Sequence, residues 1–168
     1  MVEPSMQESA DGRGPDKLLA IGAYGEAVAA YRYVVLSEKS PNAAGRRRFA
    51  GMADEEQEQK QLLQRELAER FPEADCVLTA ADKALVVSGP RLLNVHGLIS
   101  FAETLNMVLE TERKTADFYA RHGPLISDGT LRSLFHRLAE DSARCYRRLE
   151  ALVVEKGIPA AGRGEVGG

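Results

Sequence analysis

Glu112-Arg-Lys-Thr-Ala-Asp-Phe-Tyr119 puts an acid and a phenol seven residues apart, two helical turns, and so on one face of a helix. The same spacing occurs earlier, at Glu26 and Tyr33, and the shift is constant: 112 − 26 = 119 − 33 = 86. At that shift Ala30 meets Ala116, Phe49 meets Phe135, Met52 meets Leu138 and Ala53 meets Ala139. The acidic pair Asp54-Glu55 meets Glu140-Asp141. No gap is needed. A gapless match across two helical stretches reads as a duplicated helical hairpin.

Working outward, four long stretches carry helical spacing. The first is expected over 16–38, with Leu19, Tyr24, Ala27, Ala30 and Val34 among its core positions. Ser40 is expected to cap the second helix and Pro41 to sit in its first turn. That helix runs to about Phe71 and stops before Pro72. The third begins at Ser100, where Ser100 and Glu103 have the spacing of a capping box, and ends before Gly123-Pro124. The fourth starts after Ser127 or Asp128 and stops at Gly157. The 28 residues from Pro72 to Ile99 are long for a simple hairpin turn. They can cross the length of a bundle, with a short helix near 80–87. The expectation is an all-α four-helix bundle over 16–157, two helical hairpins joined by one long crossover. Polar, Gly-rich tails are expected over 1–15 and 158–168.

The bulk numbers exclude several classes. A chain of 168 residues, 44% apolar and 28% charged, suits one globular domain. A net charge of −3 gives nucleic acid no electrostatic footprint. No apolar run approaches the roughly 20 residues of a membrane span, and the N-terminus lacks the apolar middle of a signal peptide. Cys76 and Cys145 form no C-x-x-C pair, so a rubredoxin-type iron site, a zinc ribbon and a thioredoxin motif are all absent. Two isolated thiols suit a reducing cytoplasm. No Gly-rich phosphate loop, nucleophile elbow or catalytic triad signature occurs.

The acid–phenol helices, with Met52-Ala-Asp-Glu-Glu-Gln-Glu-Gln59 and Leu138-Ala-Glu-Asp-Ser-Ala-Arg-Cys145 as their partners, resemble the four helices of rubrerythrin-type ferritin-like proteins. The resemblance covers nearly all of 16–157. It implies a ferritin-like topology and a di-metal site built from one Glu on each of two helices and Glu-x-x-His on the other two. Residues three apart share a helix face, so each pair would offer a carboxylate and an imidazole to one ion. Carried over, the implied metal ligands are Glu26, Glu56 and Glu112, with Tyr33 and Tyr119 beside them. Gln59 stands at the first His position, and Ser142 and Cys145 at the second Glu and His positions.

Three of the six ligand positions are thus changed, both imidazoles among them. The expected protein is non-catalytic or weakly metal-binding, carrying no cofactor or one weakly held iron or manganese ion. Glu26, Glu56, Glu112 and Gln59 would be its ligands. It would act through assembly or a protein partner, as a homodimer. The alternative implied by the resemblance is a di-metal or altered-metal oxidoreductase handling peroxide or oxygen. A redox-sensing Cys145 is a third reading. Without metal, the three acids would be hydrogen-bonded to Tyr33, Tyr119, Gln59 and Ser142, and partly protonated. His96, His122 and His136 stand at none of the motif positions, and the Arg46-Arg47-Arg48 run reads as a solvated helix face.

Overall fold

A computed structural model describes residues 12–89 and 100–158. Among these every regular element is helical: α1 (Pro15–Lys39), α2 (Ala43–Arg70), the short α3 (Ala80–Ala84), α4 (Phe101–His122), a 3-10 turn (Gly123–Leu125) and α5 (Gly129–Glu155). No described helix is long and apolar enough to cross a membrane. The expected tail over 1–11, the crossover from 90 to 99 with His96, and the tail from 159 lie outside the described residues.

Local chemistry sets the ends. Pro15 opens α1, where its missing N–H costs no helical bond. Asp128 caps α5 by accepting from the amides of Thr130 and Leu131, and Gly157, at φ +63, follows its end. Ser100 Oγ accepts from the Glu103 amide at the start of α4. The start of α2 differs from expectation. Its cap is Asn42, whose side chain accepts from the Gly45 amide at 2.7 Å, and the helix begins at Ala43. Ser40 instead follows the last residue of α1, its amide bonded to the Ser37 carbonyl, and Pro41 stays outside α2.

α1 and α2 form one antiparallel hairpin and α4 and α5 another, and α1 also lies antiparallel to α4. The core falls into two parts. One gathers Leu19, Leu63, Phe118, Tyr119, Phe135 and Leu138; the other gathers Tyr33, Leu36, Phe49, Met52, Leu105 and Leu149. The repeat is visible here. Tyr119 packs edge-on against Phe135 at 5.2 Å in the first part, and Tyr33 stacks with Phe49 at 6.5 Å in the second. Each pair maps on the other through the shift of 86.

α1 is apolar on nearly every side, so its periodicity leaves its phase open. Leu19 and Ala30 are buried as expected, and Tyr24 and Ala27 are half-buried, but Val34 is 46% exposed while Val35 and Leu36 are fully buried. The visible part of the crossover lies over the α1/α4 seam. Gly25 leaves room for Val86, Lys114 donates to the Ala84 carbonyl, and buried Arg32 donates to Thr111 Oγ1 and the Ser88 carbonyl, each at 2.6 Å. Arg13 and Lys17 pair with buried Asp82 at 2.9 and 3.4 Å, tying the start of the chain to α3. Residues 13–15 are therefore part of the bundle rather than of a tail, and Ile158 packs on the second core part.

Candidate metal centre

Four helices each send one buried group to the region between the two core parts: Glu26 from α1, Glu56 from α2, Glu112 from α4 and Cys145 from α5. Tyr33 Oη donates to Glu112 at 2.6 Å, and Tyr119 Oη donates to Glu26 at 2.7 Å. The phenol of each repeat thus holds the acid of the other. Gly22 makes this possible on one side, since a Cβ there would stand 3.0 Å from the Tyr119 oxygen. Glu56 sits between the other two acids in hydrogen-bond contact. One carboxylate oxygen of Glu56, one of Glu112 and the Cys145 Sγ all lie within 4.8 Å of one another.

Burial decides the charge state. It is the main cause that raises Glu26, and the main cause that pushes Glu112 up to about 8. The phenol bond to each favours the ionised form and pulls the other way. Glu56 is raised well above the carboxylate range, by burial first and then by the charges of Glu26 and Glu112. Without a cation, burial favours the protonated forms within the cluster. Burial, then Glu112 and Glu55, push the Cys145 thiol up to about 12. Such a thiol is a poor nucleophile and a poor redox sensor.

The donor set does not fit a two-metal centre. Neither position 59 nor position 145 carries an imidazole, and Ser142 stands where the resemblance implies a carboxylate. Gln59, expected as a possible ligand, turns its amide nitrogen to Asp141 at 3.5 Å across the α2/α5 seam, where α2 and α5 bring no Cα atoms within 8 Å. The hydrogen bonds expected from Gln59 and Ser142 to the acids are not among those of the described residues; those from Tyr33 and Tyr119 are present. Ser142 is buried on the Cys145 face of α5. A single cation fits better, since Glu56 and Glu112 offer two anionic oxygens and Cys145 a sulfur. Cys145 already stands in the sequence at the second His position, where a thiolate is a seldom-used ligand for iron or manganese but a good one for a softer ion. Its signal is position: 59 + 86 = 145, so it occupies the second imidazole slot. His122, half a helix from the cluster, is buried and packs on Phe118 at 5.0 Å, while the His136 side chain is 76% exposed.

No family model and no curated protein matches the chain. A solved structure of a hypothetical protein from Pyrococcus furiosus shares the fold, with a TM-score of 0.68 over 85% of this chain and 90% of that one. At 19% identity the likeness concerns the fold alone.

Proposed function

We propose that the chain is a ferritin-like four-helix bundle of the rubrerythrin plan whose two-metal centre has been reduced by substitution to a buried carboxylate cluster. That cluster holds protons or one weakly bound metal ion and turns over no oxygen or peroxide. The observation that supports this reading most is the pair of crossed bonds, Tyr33 to Glu112 and Tyr119 to Glu26, beside positions 59, 142 and 145, where Gln, Ser and Cys replace two imidazoles and a carboxylate. The scaffold is retained and the ligands are not. An oxidoreductase on this scaffold would need a metal pair held against turnover, and the nitrogen donors that tune such a pair are missing. The protein would act in the cytoplasm through assembly, as a homodimer, or through a protein partner. Elemental analysis of protein purified without chelator tests the reading. Well under one iron per chain and no oxygen-dependent oxidation are expected; two tightly bound metal ions per chain would refute it.

A further inference from the structure

We infer that Glu56, Glu112 and Cys145 form a one-metal site for a borderline-soft divalent cation of the zinc and cobalt type, bound through the cysteine sulfur. The inference rests on the reduced-centre reading above and names the ion it would take.

The geometry carries it. Three ligand atoms from three helices lie within 4.8 Å of one another. Tetrahedral zinc takes carboxylate oxygen at about 2.0–2.2 Å and thiolate sulfur at about 2.3 Å, which puts neighbouring ligand atoms about 3.4 Å apart. The side chains need close by at most about 1.4 Å, within the reach of small χ adjustments in two glutamates. Independently of the acids, Cys145 is 8% exposed and its thiol has no hydrogen-bond partner among the described residues. A buried donor aimed at two carboxylate oxygens and left unbonded is what a ligand looks like before its ion arrives.

The donor types choose the ion. Carboxylates alone would favour magnesium, calcium or manganese, and thiolate shifts the preference toward zinc. Zinc has no preferred d-electron geometry and accepts one sulfur with two oxygens, leaving a fourth position. Glu26, held by Tyr119, stands next to Glu56 and is not one of the three converging ligands. Binding is an exchange without electron transfer. The Cys145 S–H bond breaks and its proton leaves to solvent, as does each proton held on the Glu56 and Glu112 carboxyls. One metal–sulfur and two metal–oxygen bonds form. The positive ion reverses the local penalty on the anionic forms. Gln59 and Asp141, both partly exposed, meet across the α2/α5 seam beside the cluster.

Cobalt(II) is the probe, because a cobalt–thiolate bond gives a charge-transfer band in the near ultraviolet that carboxylate ligation does not. Metal-free full-length protein is titrated with cobalt chloride under anaerobic conditions, alongside Cys145→Ser, Cys76→Ser and Glu56→Gln variants checked for native circular dichroism. The expected result is a band saturating at one equivalent, retained in Cys76→Ser, lost in Cys145→Ser, weakened in Glu56→Gln, and bleached by added zinc. One cobalt bound with no thiolate band, or a band that survives Cys145→Ser, overturns the inference and leaves the reduced carboxylate cluster standing. Failure of the parent protein to bind cobalt also overturns it, while two ions bound per chain would overturn the reduced-centre reading itself.

Discussion

Tyr33 holds the carboxylate of Glu112 at 2.6 Å, although 79 residues separate them in the chain. Its counterpart, Tyr119 to Glu26 at 2.7 Å, is the same bond seen from the other repeat. The two bonds stitch the hairpins together across α1 and α4, and both lie in a dry interior where a hydrogen bond to an acid is worth more than in water.

Removing either phenol oxygen should therefore cost similar stability. Tyr33→Phe and Tyr119→Phe keep the ring packing and each leave a buried acid short of a donor, at about 1–3 kcal/mol. Urea denaturation checks this. A loss near zero for one and large for the other would show that the two halves of the cluster are not energetically equivalent.

The cluster also makes stability depend on pH. Glu112 is raised from 4.5 to about 8, so the folded state binds a proton that the unfolded state has released in that interval. A raised carboxyl contributes stability below its unfolded value and loses it as pH climbs through the folded one. The melting temperature of metal-free protein should fall from mildly acidic conditions up to about pH 8. Glu112→Gln, which stays neutral, should flatten that fall and be neutral or stabilising at its upper end. An equal slope in parent and variant would locate the dependence elsewhere.

Much of this was legible in the sequence, for identifiable reasons. The shift of 86 brings out the hairpins and pairs Glu26 with Glu112, because a duplicated helix pair preserves register even where side chains change, whereas Glu56, opposite Ser142, comes only from the family resemblance. The phase of α1 was not legible: Val34 and Leu36 are both apolar, and only the neighbouring helices decide that one is exposed and the other buried. Nor was the choice of cap. Ser40 and Asn42 are both good N-caps, and the chain uses the one that leaves Ser40 to close α1. Gln59 was expected as a possible ligand because the resemblance puts it at a His position, but its amide nitrogen faces the partly exposed Asp141 instead.

The cap assignment has its own consequence. Asn42→Ala should cost about 1 kcal/mol, the usual worth of a lost side-chain cap. Ser40→Ala should cost less, since its side chain caps no helix. Chemical melts of the two variants give the order, and the reverse order would return the cap to Ser40.

Gly25 sets two effects against each other. Glycine inside a helix ordinarily gains about 0.5–1 kcal/mol on replacement by alanine. Here the new Cβ would stand 2.9 Å from the Val86 Cβ, a branched and fully buried side chain that cannot swing aside. Overpacking of that kind costs about 1–3 kcal/mol, so Gly25→Ala should be destabilising. A gain in melting temperature would mean that the 85–89 segment lies on α1 less firmly than the Arg32–Ser88 bond implies.

The central claim is that the scaffold has kept the geometry of a two-metal centre and lost its ligands. The triple variant Gln59→His, Ser142→Glu and Cys145→His builds two Glu-x-x-His pairs beside Glu26 and Glu112, the full ligand set of the ferritin-like plan. Metal that binds only the folded state raises its stability. The decisive measurement is the melting temperature of this variant with and without iron(II) or manganese(II). A metal-dependent rise in the variant that is absent in the parent is the predicted result; a variant with native-like circular dichroism and no such rise would contradict the account.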